Sequence, residues 1–115
     1  MKASIKIVFA LALIVLSSGF QIIKTALSVT VRDEVGNTVE GASVQLFEKE
    51  EDYAAETNVA AQGVTDAKGI LKIKELKAMS YYVIVRKDDK DNAGGGEQTG
   101  KLEANRINKV TIVIQ

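Results

Sequence analysis

Four oxygen-bearing side chains, Asp88, Asp89, Asp91 and Asn92, fall within five residues and are the part of this sequence best suited to hold an ion. Carboxylate and amide oxygens are hard ligands that suit Ca²⁺, and Gly94, Gly95 and Gly96 would let the backbone bend around it. The spacing is not that of an EF-hand, whose loop closes on a Glu at its twelfth position. Lys87 and Lys90 lie inside the cluster and oppose a cation, so a solvated hairpin loop is the competing reading. The three glycines do not form a phosphate cradle. A P-loop follows its glycines with Lys and Ser or Thr at the start of a helix, whereas Glu97 and Gln98 follow here. A second acidic group, Glu48, Glu50, Glu51, Asp52 and Glu56, could attract a cation or a basic partner. It could equally keep a loop soluble.

Much chemistry is excluded by composition. The chain has 115 residues with no Cys and no His. That rules out disulfides, thiolate nucleophiles and cysteine-bound metal centres, together with the commonest general base and transition-metal ligand. Basic and acidic residues balance at 15 each. Losing Lys2 and Lys6 with a leader cleaved at the small residues Ser17–Gly19 would leave 13 basic against 15 acidic. A mildly acidic domain with few aromatics lacks both the basic face and the stacking platforms that nucleic-acid binding uses. No cofactor is implied.

The N-terminus carries the layout of an export signal. Met1 to Lys6 is a short positive region, Ile7 to Leu16 is unbroken apolar sequence, and Ser17, Ser18 and Gly19 are small. If the apolar stretch is extended through Phe20, Ile22 and Ile23, it also approaches the shortest spanning helix. The chain therefore divides into residues 1–25, a signal peptide or uncleaved anchor, and an exported domain over residues 26–115. Both readings place the domain outside the cytoplasm, in the periplasm or secreted, because the two lysines hold the N-terminus inside. Beyond this signal no contact with a membrane is expected.

From Leu27 onward the apolar period is two. Leu27, Val29 and Val31 alternate with Ser28, Thr30 and Arg32, as a half-buried strand would. Ala42, Val44 and Leu46 point one way and Ser43 and Gln45 the other. Phe47 falls on the polar side, which predicts that this face is partly covered. Glu48 to Asn58 reads as a crossover loop with one helical turn near Tyr53 to Glu56. A strand from Val59 to Thr65 and another from Ile70 to Lys74 flank a turn at Asp66–Gly69, whose Asp accepts backbone N–H bonds and whose Gly lets the chain reverse. Leu76 is expected to plug the end of the core. Tyr81, Val83 and Val85 alternate with Tyr82, Ile84 and Arg86, apolar enough on both sides for a central strand. A short strand over Gly100–Ala104 and a last one carrying Val110, Ile112 and Ile114 complete the pattern. The expectation is an all-β, seven-stranded antiparallel Greek-key β-sandwich behind an N-terminal hydrophobic signal helix.

These residues resemble a known family. Gly41-Ala42-x-Val44-x-Leu46, then Thr65-Asp66-x-x-Gly69-x-Leu71-x-Ile73 with Leu76, then Tyr81-x-Val83-x-Val85, look like the carboxypeptidase regulatory-like family of prealbumin-like (transthyretin-like) sandwiches. They are also similar to collagen-adhesin B-type repeats. The resemblance spans Leu27 to Gln115 and implies fold roles for Gly41, Ala42, Thr65, Asp66, Gly69 and Leu76, none of them catalytic. Some collagen-adhesin domains carry a Lys–Asn isopeptide bond that starts from a Lys on the first strand. Leu27 to Arg32 holds no Lys. Hydroxyisourate hydrolases of the transthyretin-like fold use His residues and a Tyr-Arg-Gly-Ser terminus, and both are absent here.

The resulting expectation is a non-enzymatic module, structural or binding, at the cell envelope or exterior. Its partner would be an envelope protein or a glycan and not nucleic acid, and its oligomeric state is open. The alternative is a calcium-binding or small-ligand carrier of the transthyretin kind. The segments from Phe47 to Val59 and from Asp88 to Gly96 are the most individual parts of the chain. Variable loops on a rigid sandwich are where recognition usually sits.

Overall fold

The structure, a computed structural model, describes residues 24–94 and 96–115. The leader lies outside this range except for its last two positions, and so does Gly95 of the triple glycine. None of the described helices is long and apolar enough to cross a membrane.

Alternation of apolar and polar side chains builds two facing sheets. The first contains β1 (Ala26–Asp33), β4 (Ile70–Ile73) and β7 (Ile107–Ile114), in the order β4-β1-β7. The second contains β2 (Ser43–Phe47), β3 (Ala61–Val64), β5 (Tyr82–Lys87) and the two-residue β6 (Lys90–Asp91), in the order β3-β2-β5-β6. Leu27, Val29 and Val31 from β1 meet Val44 and Leu46 from β2 and Val83 and Val85 from β5 in one core, with Ile112 and Ile114 closing it from β7. Burying such side chains contributes roughly 1.5–3 kcal/mol each, enough for a domain without staples.

Two features depart from the expected architecture. β1 and β7 run parallel, so the sandwich is not antiparallel throughout. Side-chain alternation says which face is buried but nothing about strand direction, which the connections decide. Here the last connection brings the chain back to the pole where β1 begins, and Ala26 N–H donates to the Arg106 carbonyl at 3.0 Å. The strand expected at Gly100–Ala104 is absent. Leu102 is buried there all the same, because its N–H bonds the Met79 carbonyl and turns its side chain into the core. A two-residue strand, β6, forms a hairpin with β5 inside the loop expected over Asp88–Gly96.

Thr65 is buried, and its hydroxyl donates to the Val39 carbonyl at 2.7 Å while accepting the Ala42 N–H at 2.9 Å. Gly41, at φ 75°, donates its N–H to the Thr65 carbonyl. Leu76 packs partly buried against the core, and its N–H bonds the Thr25 carbonyl. Tyr81 is buried just before β5, and its hydroxyl accepts the Lys77 N–H. Every buried side-chain nitrogen and oxygen among the described residues has a hydrogen-bond partner.

Two turn carboxylates respond to pH. Asp66 Oδ1 accepts the N–H groups of Lys68 and Ile70, and Asp33 Oδ1 accepts those of Val35 and Asn37. These bonds hold both carboxyls below the usual range, with Ile70 the largest cause for Asp66 and Asn37 for Asp33. A lowered carboxyl binds fewer protons in the folded state than in the unfolded chain. Its contribution is therefore present above an unfolded pKa of about 4 and lost as pH falls through the folded value. Urea midpoints are expected to fall below pH ~4, and the double variant Asp33→Asn, Asp66→Asn is expected to flatten that fall. A variant profile parallel to the parent's would refute the assignment.

Candidate binding site

The two individual loops meet on one face. The first holds α1 (Glu50–Ala55), six residues with Glu50, Glu51 and Asp52 in the first turn, where carboxylates suit the positive end of the helix dipole. The helix starts earlier than the turn expected near Tyr53. It stops at Glu56, which adopts the left-handed conformation at φ 55°. The acidic cluster is thus largely a helix start.

α1 lies on the outer face of the four-stranded sheet. The Tyr53 ring stands edge-on to Phe47 at 6.2 Å between centroids and leans on Tyr82 at 5.4 Å. This aromatic group is the cover that the outward placement of Phe47 implied, and it leaves Phe47 fully buried. Burial pushes the Tyr53 phenol above its ordinary pKa, and the Glu97 and Asp91 carboxylates push it further. Arg86, on the same face of β5, donates two bonds to the Glu56 carboxylate, one of them from Nη2 to Oε2 at 3.0 Å. That bidentate pair holds Glu56 below the usual carboxylate range and raises Arg86.

Between α1 and the second loop lies a shallow depression of about 230 Å³ lined by Tyr53, Glu56, Ile84, Arg86, Asp91 and Asn92, among others. It offers an aromatic edge, a cation and carboxylates to a polar ligand. Glu56 is held ionised by Arg86, the reverse of what a general acid needs.

The four residues suggested for Ca²⁺ are divided between two places. Asp88 and Asp89 border a separate depression of about 290 Å³ at the pole of the sandwich, alongside Asp33, Glu40, Lys87 and Lys90. Asp91 and Asn92 border the outer-face depression, where Asp91 Oδ1 accepts the Ala93 N–H. Asn92 is buried with its amide turned inward. Oδ1 accepts the Val85 N–H at 3.0 Å, and Nδ2 donates to the carbonyls of Val83 and Gly96 at 2.9 and 2.8 Å. Its oxygen is thus engaged with the backbone of β5. Among the described residues no three acidic side chains are grouped so as to hold a metal ion. What was missed is that Asn92 completes the sheet. An amide flanked by Asp and by Ala-Gly carries the same local signal for a ligand loop as for a side chain that mimics a strand.

No family model matches the chain, and no curated protein matches it. Solved structures do match in shape. The pilus 2b backbone protein of group B streptococcus aligns with a TM-score of 0.52 at 17% identity, covering 79% of this chain and 40% of that one. A chain of a type II cohesin–X–dockerin complex from Acetivibrio cellulolyticus aligns with a TM-score of 0.52 at 16% identity, covering 78% of this chain and 56% of that one. The chain thus spans about half the length or less of the structures it matches. At such identities the likeness is one of fold, an immunoglobulin-like β-sandwich.

Proposed function

We propose that the chain is an exported, non-enzymatic β-sandwich module, of the carboxypeptidase regulatory-like Greek-key kind, with a structural or adhesive role at the cell envelope or exterior. The observation that carries this reading is the convergence of the two individual loops around Tyr53, Arg86 and Asp91 on the outer face. A rigid two-sheet body presenting one loop-built polar face is how a recognition module is made. The likenesses to a pilus backbone protein and to a chain of a cohesin–dockerin complex agree with that role. The aromatic edge beside a bidentate Arg–Glu pair suits an envelope protein or a glycan. A calcium or small-ligand carrier has less behind it, because Asn92 is committed to the backbone.

Export is tested by the N-terminal mass of the protein recovered from each cell fraction. Loss of the leader near Ser18–Gly19, or an intact chain facing outward from the membrane, is expected; an intact chain in the cytoplasm would overturn it. Recognition is tested by capture from envelope extract on immobilised protein. The double variant Tyr53→Ala, Arg86→Ala is expected to lose at least about tenfold in captured material while its β-rich circular dichroism stays unchanged. Unaltered capture by that variant would remove the outer face from the function.

A further inference from the structure

The three-stranded sheet ends in an open edge. In the parallel ladder the bond from Ala26 N–H to the Arg106 carbonyl fixes the parity of β7. Asn108, Val110 and Ile112 aim their backbone groups at β1, whereas Ile107, Lys109, Thr111 and Val113 aim theirs away from it. Beyond Val113 the edge is taken, since Gln115 exchanges two backbone bonds with Asp91. Apart from the ladder with β1, no backbone bond joins Ile107–Val113 to another element among the described residues. A cleft of about 240 Å³ separates Val110, Thr111 and Ile112 from Val83, Gly96, Gln98, Thr99 and Gly100, so no strand of the described residues lies against this edge.

The side chains of that edge run against its surroundings. Ser28, Thr30, Arg32 and Lys72 make the outer face of this sheet largely polar, with Ile70 half-buried opposite Thr30. Yet Ile107 and Val113 stand 42% and 37% exposed on β7. A long edge strand is usually protected by charge, and here a single Lys109 sits in the middle.

We infer that β7 pairs antiparallel with β7 of a second copy of this chain, about a twofold axis through Val110, which joins the two three-stranded sheets into one. The register follows from the chemistry. With Val110 opposite Val110, the outward-aimed residues match Ile107 to Val113 and Lys109 to Thr111. Each of these pairs exchanges two backbone hydrogen bonds. The exposed apolar residues cover each other, and no lysine faces a lysine. A shift by one pair, which would centre the axis on Lys109, would set two ammonium groups directly opposite, an unfavourable cross-strand arrangement. The lengths also agree. Asp91 occupies the position beside Gln115, where the partner strand would end just past its own Ile107.

The absence of cysteine makes the test direct. Across a non-hydrogen-bonded antiparallel pair the Cα atoms lie about 4.5 Å apart, within reach of a disulfide. Purified full-length Val110→Cys, in detergent to cover the apolar leader, is expected to form a disulfide homodimer under mild oxidation. Lys72→Cys, on the far edge strand, is expected to stay monomeric. Adding Thr111→Lys to V110C places lysines opposite lysines and is expected to lower the cross-linked fraction at least about tenfold. Should V110C fail to fold, a mixture of Ile107→Cys and Val113→Cys chains is expected to cross-link with each other and far less with themselves. No cross-link at Val110 in a folded variant, equal cross-linking at Lys72, or indifference to Thr111→Lys would each overturn the pairing.

Discussion

Replacing Asn92 by Asp is expected to remove roughly 3 kcal/mol of stability at neutral pH, far more than a one-atom change on a polar loop would suggest. Asn92 is 4% exposed and its amide group makes three backbone bonds. The aspartate keeps the acceptor for Val85 N–H but loses both donors, and it sets a buried negative charge against the carbonyls of Val83 and Gly96. The penalty has a definite pH dependence. Burial and the facing carbonyls favour the protonated acid, so the folded state of the variant holds its proton to higher pH than the unfolded chain does. The variant therefore recovers stability as pH falls and loses it as pH rises through the folded pKa, opposite in sign to the turn carboxylates Asp33 and Asp66. Urea unfolding of parent and variant near pH 7 and pH 4 checks both size and sign. A difference below about 1 kcal/mol at pH 7 would mean that the amide is not the element holding this stretch of chain to β5.

Substituting Gly69 by Ala is expected to cost about 3 kcal/mol, while the same change at Gly36 costs about 1–2. Both glycines have positive φ, 75° and 97°, so both variants incur the left-handed strain of an ordinary residue. Only Gly69 also lacks room. A Cβ there would lie 2.8 Å from Thr38 Cβ, 3.0 Å from Val39 N and 3.1 Å from the Val31 carbonyl oxygen, whereas nothing lies within 4 Å at Gly36. The crowding comes mainly from backbone, which cannot swing aside. It falls where the Gly69 carbonyl accepts the Val31 N–H and the Val31 carbonyl accepts the Val39 N–H. Chemical unfolding of the two variants side by side separates backbone strain from crowding. Equal losses would show that the close packing around Gly69 contributes nothing.

Legibility in the sequence followed the range of the interaction. Alternation is a property of neighbours, so the inward faces of β1, β2 and β5 could be read directly, down to Phe47 needing a cover. Asp66 and Gly69 were recognisable as a turn because a turn is closed by residues two to four apart. The direction of β7 was not legible, since the pairing of Ala26 with Ile107 depends on all the connections between them. Leu102 was assigned to a strand because burial by a single backbone bond to Met79 leaves the same apolar trace as burial by a ladder. The site was half legible. Both individual loops were identified, but their meeting at Tyr53, Arg86 and Asp91 is a long-range contact, and the split of Asp88 and Asp89 from Asp91 and Asn92 follows from the reversal at Lys87–Lys90.

The parallel run of β1 beside β7 has a mechanical meaning. The backbone enters the sheet at Ala26, at one pole, and leaves at Ile114, at the other. Tension applied between those points slides the two strands lengthwise, so that every rung of their ladder resists at once instead of opening one after another. A body pulled at those two points would therefore resist as a stiff link.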